Sequence, residues 1–408
     1  MRFWFSIPLW QRVLGGLVLG LIIGAIWGPE AAVLKPIGDI FLAAIKMLAV
    51  PMIFATLSAG VASLGDPVKL GRLGGKAILI FMGTAVVAVV MGVGLGVLIE
   101  PGAGLAVEGL KSPVTPPPPS FVERLLGIVP QNPFASFAEG EILQILVFAI
   151  LVGVGCVLGG ERTQPLVRVL EAGAEVMIKI AGLVMELAPF GVLGLMAWVA
   201  GTYGLEALKP LAVLGGTLYL GCLLQAALVY TGLLKLMGLS VKAFFRGISD
   251  AIAVAYATAS SSATLPVTLR CVERNLGVDK PTASFVASLG STVNMDGTSM
   301  YLALAAIFGA QAFGIDLSFV DYIGIILTSL LASIGAAGVP SAGLIMMSIV
   351  LVQAGVPLET IAIVAGVDRV LDMARTAVNV TGDATTATVV AKWEGRLDQK
   401  VYDSDDDV

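Results

Sequence analysis

Long apolar runs separated by short polar connections fill the first 236 residues. Val13 to Trp27, Ile78 to Ile99, Ile142 to Leu158 and Leu211 to Leu234 each approach the length at which a helix crosses a bilayer, about twenty residues. The pattern predicts spans at 9–28, 37–64, 76–100, 141–159, 166–200 and 209–236. Beyond residue 240 it changes. Two apolar segments, Phe244–Leu265 ending in "TASSSATLP" and Ile323–Val352 holding "ASIGAAGVPSAGL", are interrupted by small polar residues and glycine. Each precedes a longer helix with ionisable residues, at 281–313 and 358–392. The last third therefore reads as two copies of a broken hairpin followed by a polar helix. Paired Gly/Pro-interrupted segments of this kind point to a transporter binding site. Broken backbone at membrane depth is tolerated only where protein or a water-filled cavity satisfies it.

Composition makes the setting firm. The 408 residues are 57% hydrophobic and 13% charged, with mean hydropathy +0.95. A soluble domain has nowhere to put so much apolar surface, so the fold class is an all-α polytopic membrane protein. A β-barrel would alternate apolar and polar residues in segments of about ten. The net charge of −5 and the lack of histidine argue against nucleic acid and against a zinc or haem site. Cys156, Cys222 and Cys271 are odd in number and scattered, and are expected to act as small apolar residues. Arg2 and Arg12 precede an apolar run without a cleavage site, which predicts a retained first helix. The tail Asp403–Asp407 is expected to be solvated.

Basic residues set the orientation. Lys69, Arg72 and Lys76; Arg162 and Arg168; Lys235, Lys242 and Arg246; Arg270, Arg274 and Lys280; and Lys392, Arg396 and Lys400 all fall on one face if both hairpins re-enter the membrane. That face should be the cytoplasm. Both termini are then cytoplasmic, and the 101–140 connection with its "TPPPPS" spacer is extracytoplasmic.

The segment "DRVLDMARTAVNVTGD", residues 368–383, carries unusual chemistry for an apolar surrounding. Taking about 100° per residue from Asp368, Asp372, Arg375, Asn379 and Asp383 share a face roughly 80° wide, with Thr376 on its edge and Arg369 about 100° away. Intramembrane ionisable residues are costly and are by default functional. A structural ion-pair ladder is the plain alternative, but a ladder would balance its charges. The other polar helix carries "STVNMDGTS", residues 291–299. Asn294, Asp296 and Gly297 disfavour regular helix and free backbone carbonyls. Such hard oxygens suit a Na⁺-like cation; a local kink with a satisfied aspartate is the alternative. If the six ionisable groups share one core, Asp296, Asp368, Asp372 and Asp383 oppose only Arg369 and Arg375. Two negative charges are then left over, and a cation, metal ion or proton, must enter with the substrate. Ser260–Ser262 at the first hairpin tip suit a carboxylate, and the "GVPSAG" tip, 338–343, suits a lid.

In order and spacing, "SSSATLPVTLRC", "NMDGT", "GVPSAG" and "DMARTAVNVTGD" resemble the dicarboxylate/amino acid:cation symporters over essentially the whole chain. The resemblance implies eight transmembrane helices plus two re-entrant hairpins, a homotrimer, and an elevator movement of a transport domain against a scaffold. It assigns 1–75 and 141–208 to the scaffold. The third helix and following loop, 76–140, and residues 209–408 go to the transport domain. By similarity Arg375 would hold the substrate side-chain carboxylate and Asp372 its amino group, with Thr376, Asn379, Thr298, Ser261, Val339 and Gly343 completing the pocket. One sodium site would use Asp383, Asn379, Asn294 and the backbone of Gly290. A second would use backbone at Thr292, Ser333, Ile334 and Ala336. A third would use Asp296, Asn294, Thr84 and backbone near Phe81. Ala85 lacks a hydroxyl that this third site has elsewhere in the family, Ala259 stands where some members have an arginine, and Leu302 replaces the glutamate of potassium-coupled members.

The expected function is Na⁺-coupled uptake of L-aspartate and/or L-glutamate across a prokaryotic inner membrane. Guanidinium at Arg375 suits a carboxylate, and Asp372 suits an amine. The alternatives are proton coupling, with Glu273 or Asp296 as carrier, and C4-dicarboxylate symport. A dedicated anion channel or receptor would need no amine-selecting aspartate, and an enzyme would need a nucleophile–base pair that the sequence lacks.

Overall fold

The computed structural model describes residue 7 and residues 9–62, 67–105, 129–140, 142–204, 208–334, 336 and 342–404. The described residues are helical almost throughout, the one β-bridge joining Val278 to Leu397. In chain order the helices are α1 (Leu9–Trp27), α2 (Lys35–Ala62), α3 (Pro67–Ile99), α4 (Pro133–Glu139), α5 (Ile142–Gly159), α6 (Gln164–Met185) and α7 (Ala188–Tyr203). Then come α8 (Leu208–Leu224) and α9 (Thr231–Leu236), joined by a π turn over Gln225–Tyr230, and α10 (Val241–Gly247). The final third holds α11 (Ser249–Thr258), α12 (Ser261–Arg270), α13 (Lys280–Val293), α14 (Asp296–Ala312), α15 (Phe319–Ile334), α16 (Ala342–Gln353), α17 (Glu359–Ala365), α18 (Asp368–Trp393) and α19 (Gln399–Tyr402).

Gln11–Phe41, Leu73–Ile99 and Leu208–Leu236 are long and apolar enough to cross a membrane. The stretch Val147–Val184 with Ala188–Thr202 passes the same test but bends by 51°. The expected span at 166–200 is thus two helices, because Pro189 sits just inside α7 and cannot continue the hydrogen-bond ladder of α6. Large apolar side chains face outward: Ile26 is 74% exposed, Leu98 80%, Leu183 72% and Leu236 83%. Water would not tolerate such a surface, whereas lipid tails are its natural solvent, and the chain is a membrane protein.

The helices pack in two groups. In one, α1 lies along α7, and α2 packs on α5, α6 and α7. The α1–α7 approach depends on glycine every fourth residue of α1. A Cβ at Gly20 would stand 2.5 Å from the Leu193 carbonyl oxygen, and one at Gly24 2.5 Å from that of Ala197, so the backbones meet as in small-xxx-small membrane pairs. In the other group, α14 runs against α3 and α8, and α18 is enclosed by α11, α13, α14 and α8. The pairs α15–α5, α16–α2 and α17–α7 join the two groups. Cys222, Cys271 and Cys156 are buried, one in each of the three apolar clusters, as free thiols.

Both interrupted segments fold as helix pairs with short arms. The arms α11 and α12 have 10 residues each, α15 has 16 and α16 has 12. At 1.5 Å per residue ten residues reach about 15 Å, half a bilayer core. The first tip turns at Ala259, with φ 50°, and Ser260 caps α12 by accepting from the Ala263 N–H at 3.1 Å. The second tip, 337–341 with Val339, lies outside the described residues, as do the "TPPPPS" loop and residues 405–408. At the far end of α18, Lys76 pairs with Glu394 and lies over the Trp393 ring. Beyond it the chain folds back, and Tyr402 donates to the Ser240 carbonyl at 2.8 Å.

Candidate functional site

All six ionisable groups of the two polar helices are buried: Asp296, Asp368, Asp372, Asp383, Arg369 and Arg375 are each 6% exposed or less. The condition for the charge count is met. The charges are not mixed evenly, however; they divide into two chambers along α18.

In the first chamber Arg375 is fully buried. Its Nη2 lies 3.1 Å from Asp368 Oδ1 and 2.9 Å from Asp372 Oδ1. The guanidinium stacks on the Tyr301 ring, 3.9 Å from its centroid, and the Tyr301 hydroxyl donates to Asp368 at 2.8 Å. Thr376 reaches Asp372 at 3.4 Å. Gly343, at the start of α16, comes so close that a Cβ there would stand 2.6 Å from Arg375 Nη1. Asn379 donates to Thr298 at 3.2 Å and accepts from the Gly297 N–H at 2.8 Å. The predicted pair Asp372 and Arg375 is therefore engaged with itself, a closed ion pair that a zwitterionic acid would have to divide. Ser261 is buried at the start of α12. A hydrogen bond ties this hairpin to α18 through Arg369, whose Nη2 donates to the Thr258 carbonyl at 2.9 Å.

The second chamber lies around the break between α13 and α14. Asn294 (φ −87°, ψ 85°) and Met295 (φ −117°, ψ 49°) leave the helical region, as the Asn–Met–Asp–Gly sequence predicts. Asn294 Nδ2 donates to Asp383 Oδ1 at 3.0 Å and to the Asn379 carbonyl at 3.1 Å. Gly290 abuts the Asp383 carboxylate so closely that a Cβ would overlap it. Asp296 Oδ2 accepts from Tyr230 at 2.8 Å and from Gln225 at 3.0 Å. Gln225 also donates to the Thr84 carbonyl at 3.1 Å, and the Thr84 hydroxyl to that of Phe81 at 3.1 Å. Asp383, Asn379, Asn294, Gly290, Asp296, Thr84 and Phe81 are thus brought together.

Three oxygens in this chamber, Asp296 Oδ1, Asn294 Oδ1 and Gln225 Oε1, are buried with no hydrogen-bond donor. Among the described residues neither Asp296 nor Asp383 has an ion-pair partner. Unpaired buried carboxylates cost several kcal/mol, roughly, unless a cation joins them, and donorless oxygens at close quarters are the ligands that a hard cation takes. Thr292 and Ser333–Ile334 stand at the ends of α13 and α15, which touch. Ser333 turns back through its carbonyl to the Ala336 N–H at 3.0 Å. No hydrogen bond among the described residues joins these two helix ends directly.

Sequence reasoning missed Gln225, Tyr230 and Tyr301. A glutamine in the apolar run "CLLQAALVY" was the available signal, since a polar side chain at membrane depth needs a reason. Its partnership with Tyr230 was not readable. Five residues apart on an α-helix, they would point about 140° from each other. The π turn absorbs one extra residue and brings them within roughly 40°, on one carboxylate.

The sequence profile of the sodium:dicarboxylate symporter family matches residues 9–393. The chain belongs to that family. Its members are transporters, not enzymes. This symporter is 38% identical over 403 residues to the proton/sodium-glutamate symport protein of Bacillus caldotenax, covering 96% of this chain and 95% of that one. It is 38% identical over 413 residues to the proton/glutamate-aspartate symporter of Escherichia coli K12, covering 96% and 94%. It is 37% identical over 400 residues to the C4-dicarboxylate transport protein of Rhodospirillum rubrum, covering 96% and 89%. Identity is level across the three names, so the distinction among their substrates and ions must come from individual side chains.

Proposed function

We propose that this symporter takes up L-aspartate and/or L-glutamate together with Na⁺, by an elevator movement. The observation that carries the reading is the division of charge. Asp368 and Asp372 are balanced by Arg375 and Arg369, while Asp296 and Asp383 face donorless oxygens without a base. The balanced chamber suits a zwitterion with an extra carboxylate: Arg375 receives the side-chain carboxylate and Asp372 the amine, with Thr376, Asn379, Thr298, Ser261, Val339 and Gly343 around them. The unbalanced chamber suits cations. Asp383, Asn379, Asn294 and Gly290 form one site, and Asp296, Asn294, Thr84 and Phe81 another. The ends at Thr292, Ser333, Ile334 and Ala336 close over a third once substrate is in place.

The moving part comprises residues 76–140 and 209–408, and the scaffold residues 1–75 and 141–208, with eight transmembrane helices and two re-entrant hairpins. The protein works as a homotrimer in the inner membrane with both termini cytoplasmic. The short hairpin arms and the separate packing of α1, α2, α5, α6 and α7 support this division. Proton coupling is the second reading, supported by Asp296 Oδ1, which is buried without a donor and free to carry a proton, while Tyr230 and Gln225 donate to Oδ2. A C4-dicarboxylate has no amine for Asp372, which favours the amino acids.

Radiolabelled L-aspartate uptake into proteoliposomes, under an imposed sodium gradient and separately a proton gradient, tests the reading. Accumulation with sodium alone is expected. Accumulation with protons alone would replace sodium by protons at Asp296 and Asp383, and absence under both would overturn the amino-acid assignment.

A further inference from the structure

The chain continues past the end of α18 and turns back on itself. Gly395 is in the left-handed region, φ 67°, and the Arg396 N–H returns to the Ala391 carbonyl at 2.8 Å, a helix stop that glycine permits. Residues 396–404 then cross both stems of the first hairpin. At the exit stem, after α12, the Asp398 N–H donates to the Gly277 carbonyl at 2.8 Å and the Asp279 N–H to the Arg396 carbonyl at 3.3 Å. These bonds flank the bridge between Val278 and Leu397. Gly277 has φ 66°, and a Cβ there would stand 2.5 Å from the Asp398 carbonyl oxygen, so this crossing needs glycine. At the entry stem, before α11, Tyr402 donates to the Ser240 carbonyl at 2.8 Å, and Arg246 donates to the Ser404 carbonyl. The stems also hold each other, through Asn275 Nδ2 and the Gly247 carbonyl at 3.0 Å.

Packing adds to these bonds. Tyr402 is 1% exposed. It shares one apolar cluster with Leu239 and Phe244 of the entry stem and with Cys271, Val272 and Leu276 of the exit stem. A terminal segment stays ordered only when it is tied down, and here Asp398 also caps α19, accepting from the Lys400 N–H at 3.0 Å. The other end of the hairpin is held by α18 itself. Arg369 donates to the Thr258 carbonyl near the tip. Tyr219, whose hydroxyl lies 3.1 Å from that of Tyr256 in α11, donates to the Val370 carbonyl at 2.9 Å. One helix and its extension therefore grip the hairpin at tip and base. Between the two grips α11 packs along α18, and it cannot swing away without breaking one of them.

We propose that residues 396–404 are a strap that locks the base of the first hairpin and keeps it shut against α18. Both stems are pinned by one short segment, so lifting that segment frees them together. The hairpin then tilts at its base and uncovers the buried face of α18 on the side of the basic residues. A chamber that opens there without crossing the membrane gives sodium a path that needs no substrate, and the strap acts against that leak. The sodium path and its cytoplasmic side rest on the function proposed above; the lock does not.

The test uses full-length protein with Cys156 and Cys222 replaced by alanine, which leaves Cys271, at the hairpin base, as the reporting thiol. Tyr402→Phe removes the bond to Ser240 and keeps the ring. Tyr402→Ala also opens the cluster. Gly277→Ala lifts the strap at the other stem and leaves Tyr402 intact. The first readout is the rate at which a maleimide modifies Cys271 in the purified protein, with hydrogen exchange of α11 and α12 alongside. Modification should quicken from wild type to Tyr402→Phe to Tyr402→Ala, and in Gly277→Ala, by about tenfold or more in the alanine variants, as for loss of a buried hydrogen-bonded group. Exchange in α15 and α16 should not change. The second readout is sodium-22 flux into proteoliposomes without amino acid, which should rise several-fold in the same variants while the initial rate of aspartate uptake per folded molecule is kept. Unchanged thiol rates in folded Tyr402→Ala and Gly277→Ala, or faster exchange confined to 396–404, would overturn the lock. Faster modification with no added sodium flux, in protein that takes up aspartate with sodium, would overturn the role against leakage. Wild-type protein without sodium-driven uptake would overturn the cation reading instead, and the thiol rates would still decide the lock.

Discussion

Gly290→Ala tests the cation chamber with one carbon atom. The added Cβ would lie 2.8 Å from Asp383 Cγ and 3.1 Å from Phe81 Cζ, and overlap the Asp383 carboxylate oxygen outright. Carbon atoms ordinarily rest about 3.5–4.0 Å apart, so the carboxylate must retreat by about 0.7 Å or more. Its Asn294 partner, at 3.0 Å, is itself fixed to the Asn379 carbonyl and yields little. Overpacking of this kind costs about 1–3 kcal/mol. Spent on the ion-bound geometry of Asp383, that is about 5- to 150-fold in affinity. Gly290 lies within α13, where alanine is intrinsically better than glycine by about 1 kcal/mol. The backbone effect therefore opposes a general loss of stability and separates the two readouts. The assay is the sodium concentration giving half-maximal aspartate uptake, alongside the sodium dependence of the thermal midpoint of the purified protein. A rise of fivefold or more in sodium demand, with the protein folded, is expected. An unchanged half-saturation in a folded variant would refute the placement of the ion at Asp383.

Arg375→Ala removes the guanidinium that Asp368 and Asp372 share and leaves Arg369 as their one counter-charge among the six buried groups; uptake of aspartate should vanish while size-exclusion profiles show a folded protein, and unchanged affinity would remove Arg375 from the site. Gly20→Leu drives a side chain into the Leu193 carbonyl; it should lower the thermal midpoint of the detergent-solubilised protein, by about 1–3 kcal/mol of stability, with the half-saturation for sodium unaltered. Tyr402→Ala removes a buried ring and its bond to Ser240, a loss of about 3–5 kcal/mol by analogy with other aromatic truncations; differential scanning fluorimetry should record it, and uptake per folded molecule should be preserved.

The polar stripe of α18 was legible because α-helical period fixes which side chains coincide, and burial then fixes which of them matter. The break at Asn294–Met295 was legible for the same local reason, from residues that compete with helical hydrogen bonding. What periodicity cannot supply is the partner across space. Arg375 closing on Asp372, and Tyr301 lying beneath it, depend on how α14 crosses α18. Gln225 and Tyr230 meet Asp296 only because one turn of helix is widened, and a widened turn leaves no mark in hydropathy. The α6–α7 bend was missed because the run 166–200 was read as one span, although Glu186 and Pro189 mark the place.

The uneven placement of the buried charges has a consequence for electrical work. On the proposed elevator movement, a moving body that gives up its cations without taking protons carries the unpaired charges of Asp296 and Asp383 through the region where the membrane potential falls. Each charge crossing the whole field is worth about 2.3 kcal/mol per 100 mV. A potential negative inside would push such an empty body outward. Cations that fill the chamber cancel the charge and with it the force. The membrane voltage would then act on the resetting stroke, and the loaded stroke would run nearly free of it.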